Sequence, residues 1–178
     1  MADDDNLFSV QVLAPDRVLL TGRAEQVIMR TEDGDITFLD GHTPLVGAVV
    51  PCVVRVVREG DEEERLAVHG GFVQVEQLDD AEGDDDSAGA GGSGADTGTR
   101  VTVLASVAEL SEEIDVERAR VALEAAQTRV TDLTASSGRG SAAEGDEADA
   151  ELVEARGAVL RAEVRLEASG ATAAASSS

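Results

Sequence analysis

From Leu7 onward Phe8, Val10 and Val12 alternate with Ser9, Gln11 and Leu13, the period of two that sends successive side chains to opposite faces of a strand. Short β-branched runs follow: Val18 to Leu20, Val27 to Met29, Ile36 to Leu39, Val46 to Val50 and Cys52 to Val57. Leu66 to Val68, Phe72 to Val75 and Val101 to Leu104 complete the series. Turn signals separate them: Pro15-Asp16, Thr21-Gly22, Asp33-Gly34-Asp35, Asp40 to Pro44, Glu59-Gly60-Asp61 and Gly70-Gly71. Strands at such spacing predict an all-β sandwich or barrel. Where alternation fails, at Val53-Val54 and Val56-Val57, both faces of the strand are expected to be covered.

After Ala105 the period changes. Val116, Ala119, Leu123, Ala126, Val130 and Leu133 step alternately by three and four, a heptad-like seam. Asp115 stands at the N-cap position, where its carboxylate can accept backbone amides. Leu152, Ala155, Val159, Ala162 and Leu166 form a second seam. Two such seams joined by a loop predict an antiparallel helical hairpin. The fold class is therefore α+β: an N-terminal antiparallel β-sandwich over residues 1–108, then a C-terminal helical hairpin over 109–168. A frayed tail over 169–178 follows. The seams are half alanine, and each CH2 buried is worth only about 0.8 kcal/mol. Two readings stay open: a hairpin docked permanently on the sandwich, and a marginal one that detaches.

Charge changes this picture in one respect. The chain of 178 residues has a formal net charge of −23, and all 14 of its Lys+Arg are Arg. Thirteen of the net negative charges fall in Asp3 to Asp5 and in two stretches rich in Gly, Ser and Ala, 79–99 and 135–150. Such segments bury too little to offset ordering entropy and read as surface insertions in the sandwich and in the hairpin. The acidity argues against nucleic-acid binding, which requires basic surface, and against electrostatic docking on an anionic leaflet. One Cys and two His exclude a disulfide framework and a multi-ligand Cys/His zinc site. No apolar run has the length of a membrane span, and Met1 to Asp5 lack the basic region of a secretory signal. The expectation is a soluble intracellular protein, held at a membrane only through a partner.

One constellation carries chemistry. In an antiparallel hairpin the start of the first helix lies beside the end of the second, which puts Asp115 and Arg118 next to Arg161 and Arg165. The last two share a helix face. Three guanidiniums converging at an amide-rich helix start suit an anion such as a nucleotide triphosphate. Taken alone, the cluster reads more readily as ion pairs with Glu109, Glu112, Glu113, Glu117 or Glu163. His42 is expected to hydrogen-bond within its turn and His69 to be structural. Cys52 reads as a small hydrophobe, and Glu62-Glu63-Glu64 as solvated charge. No nucleophile, metal site or phosphate-cradling glycine loop is legible, so no catalytic residue is assigned.

Four segments together carry a family resemblance. Glu32-Asp33-Gly34-Asp35-Ile36-Thr37-Phe38-Leu39-Asp40-Gly41-His42-Thr43-Pro44-Leu45 resembles an EGxLGIxPGHxPLL segment. His69-Gly70-Gly71-Phe72-Val73-Gln74-Val75 resembles GGFxEV, and Arg100 to Ala105 resembles xVTVLAD. Ile114-Asp115-Val116-Glu117-Arg118-Ala119 resembles [IL]DxxRA at the start of a helix. These are motifs of the epsilon subunit of bacterial F-type ATP synthases, in that family's order. The segments 79–99 and 135–150 are longer than the family's connections.

The resemblance implies a non-catalytic central-stalk subunit that turns with the rotor and couples proton flow to ATP synthesis. Its partners would be the gamma subunit and the c-ring, with the catalytic head reached by an extended hairpin that inhibits hydrolysis. Its location would be peripheral, on the cytoplasmic face of the cell membrane. No cofactor is implied as required, and ATP is implied as a regulatory ligand. The matching ATP-site positions are Glu109, Ile114, Asp115, Arg118, Ala119, Arg161 and Arg165; the matching ring-contact positions are Asp35 and His42. The competing expectation is a free-standing sandwich-and-hairpin module that binds an unrelated protein.

Overall fold

A computed structural model describes residues 6–60, 62–78, 98–137 and 145–171. Its strands are β1 (Phe8–Leu13), β2 (Val18–Ala24), β3 (Gln26–Thr31), β4 (Gly34–Phe38), β5 (Leu45–Val57), β6 (Glu63–Leu78), β7 (Gly98–Ala105) and β8 (Ala108–Leu110). A single 3-10 turn, Ser111–Glu113, leads into α1 (Val116–Ser137) and then α2 (Gly145–Ala168). The hydrogen-bonded order is β2-β1-β7-β6-β5-β3-β4, with β8 beside β6. All pairings are antiparallel except β1 with β7.

The ladder is folded over on itself. β1 and β3 are not hydrogen-bonded neighbours, yet Phe8, Val10 and Val12 share one buried cluster with Val27, Met29 and Val56. Only two facing layers bring those side chains together. The fold runs through the two long strands. Gly71 to Leu78 of β6 pair with β7, whereas Leu66 to Val68 pair with β8. At the change of partner sit Gly70 and Gly71, with φ of 100° and 141°. Pro51 of β5 faces His69 there.

Several expectations change at this bend. Val46 to Val50 and Cys52 to Val57 form one strand, not two. Gly70-Gly71 bends β6 without ending it. A Cβ on Gly71 would lie 2.1 Å from the Leu104 carbonyl oxygen, so a glycine lets β6 and β7 approach here. Gly98 and Thr99, assigned by sequence to the acidic insertion, pair with Leu78 and Gln77 in the ladder. The rest of that insertion, 79–97, lies outside the described residues.

The hairpin follows its seams. Ala119, Ala126, Ala155, Ala162 and Leu166 are buried where the two helices pack. The helices reach further into the expected 135–150 loop: α1 runs to Ser137, and α2 begins at Gly145. Residues 138–144 lie outside the described set. Residues 169–171, expected to belong to a frayed tail, are hydrogen-bonded to the end of α2. The Gly170 amide donates to the Glu167 carbonyl at 3.0 Å and the Ala171 amide to the Leu166 carbonyl at 3.0 Å. With Gly170 at φ 74°, this is a Schellman cap that satisfies the last carbonyls of α2. Residues 172–178 lie outside the described set.

A second stripe on α2 docks the hairpin. Val164 and Ala168 pack on Ala67 of β6, with Ile114 and the half-buried Val53 beside them. Val53 is thus covered by α2 while Val54 and Val56 face the inner core, which explains the broken alternation of β5. α1 packs along α2, and α2 packs on β5 and β6.

Gly71→Ala is expected to cost more than about 2 kcal/mol, because the methyl meets backbone that cannot yield. Gly34→Ala, also at positive φ but with nothing within 4 Å of the added methyl, is expected to cost less. Urea unfolding of the two variants measures the difference.

Candidate functional site

The sandwich, the linker and both helices meet at one place. Glu109 lies on β8 opposite Ala67 of β6. Cross-strand partners share a face, and Ala67 faces α2, so Glu109 projects toward the end of α2. Ile114 is buried among Ala67, Val164 and Ala168 and anchors the linker against the sandwich. Asp115 follows directly as the N-cap of α1. Its Oδ1 accepts the Arg118 amide at 3.0 Å, and its carbonyl accepts the Ala119 amide at 2.9 Å.

A cleft of about 520 Å3 opens at this junction, lined by Glu109, Glu113, Asp115, Arg118, Ala119, Ala122 and Arg165. That is the size of a small-molecule pocket. Ala119 is buried, and its small side chain lets α2 approach the start of α1.

Each carboxylate of the cleft has a partner. Glu109 Oε1 accepts Arg165 Nε at 2.9 Å and Nη2 at 2.5 Å. Glu113 is held by both terminal nitrogens of Arg17, at 3.1 and 2.5 Å, and this hydrogen bonding keeps its carboxyl below the usual glutamate range. Asp115 is occupied as the cap. Among the described residues no carboxylate holds Arg118, whose side chain lines the cleft from α1.

The sequence-derived residues divide accordingly. Glu109, Asp115, Arg118, Ala119 and Arg165 line one cleft; Ile114 lies beneath it in the docking contact. Arg161 does not join them. Its guanidinium lies along α2, 3.2 Å from where a Cβ on Gly157 would stand, so the expected convergence of three guanidiniums reduces to two. The ion pair weighed against anion binding is present for Arg165, with Glu109 as its partner.

Asp35 and His42 lie outside the cleft. Asp35 pairs across β3 and β4 with Arg30, 2.6 Å to Nε and 3.1 Å to Nη2, which lowers its pKa. His42 Nδ1 lies 2.8 Å from the Thr43 carbonyl, and its ring meets Phe38 edge-on at 4.9 Å. The loop around it is pinned to β7: the Gly41 amide donates to Thr99 Oγ1 at 2.7 Å. Glu63 and Glu64, expected as solvated charge, are ion-paired with Arg55, Arg65 and Arg58. Cys52 is buried, and burial raises its thiol pKa.

Two participants were not legible. Arg17 acts on Glu113 from 96 residues away, at the β1–β2 turn. His69, two residues beyond Ala67 on the same face of β6, has a side chain only 2% exposed beneath the Glu109–Arg165 pair. Burial, and then the Arg165 charge, depress its pKa to about 4, so its ring is neutral near pH 7.

Comparisons with known proteins place this geometry. Residues 7–79 match the β-sandwich domain of the ATP synthase delta/epsilon chain. The ATP synthase epsilon chain of Brevibacillus brevis is 38% identical over 125 residues, covering 70% of this chain and 79% of the relative. That of Thermobifida fusca is 40% identical over 129 residues, covering 71% and 79%. A chain in the structure of the Euglena gracilis mitochondrial ATP synthase, comprising OSCP, F1 and c-ring, superposes with a TM-score of 0.62 at 23% identity, over 91% of this chain and 80% of that one. This last likeness is one of fold. A sandwich matching the family model, followed by a helical hairpin and supported by relatives of this identity and coverage, makes the chain a member of the ATP synthase epsilon chain family.

Proposed function

We propose that this chain is a non-catalytic rotor subunit of a proton-translocating F-type ATP synthase, whose docked hairpin binds ATP and, when released, restrains hydrolysis. The observation that carries the ligand reading is the cleft itself. Arg118, without a carboxylate partner among the described residues, faces Arg165 across a space bounded by the sandwich, the linker and both helices. The first amides of α1 add partial positive charge at the same place. An anionic ligand there contacts the parts that must separate for the hairpin to leave, so its binding energy opposes release.

The docking contact is small enough for that control. Val164 and Ala168 supply its apolar part and the half-buried Arg165–Glu109 pair its ionic part. Neither group of the pair is fully withdrawn from water, and an alanine buries one methyl. Restraint of hydrolysis then belongs to the released hairpin, reaching the catalytic head.

The opposite side of the sandwich suits a stalk partner. Leu13, Leu104, Phe72 and Ala48 are consecutive cross-strand partners on β1, β7, β6 and β5, and therefore share one outward face. Phe72 is 58% and Leu104 44% exposed, and Val46 lies on the same face at 72%. Contiguous exposed apolar surface marks an interaction site. We assign this face to the gamma subunit, and the loops carrying Asp35 and His42 to the c-ring. No helix among the described residues is long and apolar enough to cross a membrane, and attachment through these partners puts the chain peripherally on the cytoplasmic face.

Three outcomes are expected. Millimolar ATP raises the melting temperature of the wild-type protein but not of Arg118→Ala; a ligand at one hundred times its Kd adds about 2.7 kcal/mol. Equal melting shifts in the two proteins contradict the site. Deleting residues 135–168 raises hydrolysis by the assembled enzyme and spares synthesis; unchanged hydrolysis leaves the hairpin a structural part only. Phe72→Asp, an exposed substitution, changes stability by no more than about 0.5 kcal/mol yet abolishes co-purification with the gamma subunit. Recovery of that complex at wild-type yield assigns the apolar face to something else.

A further inference from the structure

His69 is a buried group with no assigned task. Among the described residues both ring nitrogens lack a hydrogen-bond partner, and the side chain is 2% exposed. An unsatisfied polar group of this kind carries a desolvation cost that a satisfied alternative state would remove. One acceptor is close: His69 Nε2 lies 3.9 Å from Glu109 Oε1, about 0.7 Å beyond hydrogen-bond range. That same oxygen accepts both Nε and Nη2 of Arg165. The carboxylate therefore stands between two donors and serves one of them.

The other charges around the ring are accounted for. From α2, Arg161 and Arg165 oppose a positive imidazole; from β8, Glu109 favours one. Arg118, Glu113 and Asp115 face the cleft from the linker and α1. On β5 the residue opposite His69 is Pro51, which carries no charge. The Arg165–Glu109 pair can change while the fold stays intact, because Arg165 lines the cleft and is open to competition from a phosphate.

We propose that Glu109 is a switched carboxylate: Arg165 holds it while the cleft is empty, and when a phosphate-bearing ligand draws Arg165 away, Glu109 turns to His69, which takes up a proton from solvent. The proton adds to the imidazole, no covalent bond changes, and Nε2–H donates to the carboxylate. This makes ligand binding tighter as pH falls, since a state that binds a proton on ligation is favoured by protons. Acidification would then reinforce the docked hairpin whenever ligand is present. The proposal rests on the anion-binding reading of the cleft.

The test follows the His69 ring resonances by NMR in the full chain between pH 4 and 8. In the unliganded wild type, titration is expected near pH 4, and saturating ATP is expected to raise it by at least two units. The ratio of ATP affinity at pH 5.5 to that at pH 7.5 should then be several-fold larger in the wild type than in His69→Gln, a comparison that removes the titration of ATP's own phosphate. Arg165→Gln without ligand should also raise the His69 pKa, and Arg165→Gln combined with Glu109→Gln should lower it again. If His69 titrates alike in the two variants, Glu109 is not its partner, and that equality overturns the switch. ATP binding with no movement of His69 also overturns it while leaving the ligand site standing. If ATP does not bind, the ligand reading fails, and the two arginine variants still decide whether Glu109 is shared.

Discussion

The helical hairpin is held to the sandwich through one side of one helix. Val164 and Ala168 of α2 rest on Ala67, and one turn of that same face carries Arg165 to Glu109. α1 packs along α2 and is tied to the sandwich by its lead-in: Ile114 is buried beside Ala67, and Glu113 is gripped by Arg17. The constraint shapes everything nearby. The docking stripe is small in side-chain volume, with alanine at both 67 and 168. The sheet beneath must be smooth, and Ala67 flanked by the half-buried Val53 supplies that.

The cleft is a consequence of how this contact ends. The linker must turn from β8 into α1 within the five residues 111–115, and Asp115 stops the turn by capping the helix. That places helix amides, Arg118 and the Arg165–Glu109 pair around one space. Of the acidic residues of the lining, Glu109 is engaged by Arg165, Glu113 by Arg17 and Asp115 by the backbone of α1, which leaves Arg118 without a carboxylate partner among the described residues. A protein of net charge −23 can in this way keep a local site for an anion. Charge bookkeeping over the whole chain says little about a cavity whose carboxylates are spoken for.

Much of this was legible in the sequence, and the reasons for the remainder are physical. Alternation gave Phe8 to Leu13 and Val101 to Leu104, and the three-four stepping gave both helices, since one buried face imposes one period. The Asp115 cap followed from residue type and position. The continuity of β5 and β6 did not, because Pro51 and Gly70-Gly71 are turn residues that here bend paired strands around the sandwich corner. β8 has only three residues and shows no period. The Val164 and Ala168 stripe lies beside the seam and is indistinguishable from it without the sheet. Of the site, Glu109, Asp115, Arg118 and Arg165 came from motif and topology. Arg161 was placed by helix spacing and by the family pattern, neither of which reports that Gly157 lets its side chain lie along the helix. Arg17 and His69 reach the site through tertiary structure only.

The central claim is that a ligand in the cleft sets whether the hairpin is docked. Dyes on cysteines introduced at two exposed positions, Asp33 in the β3–β4 turn and Glu124 in α1, report that equilibrium by single-molecule energy transfer. Two populations are expected without nucleotide, with collapse onto the docked one as ATP is added and no such collapse in Arg118→Ala. A distribution that ATP leaves unchanged in the wild-type protein would contradict it.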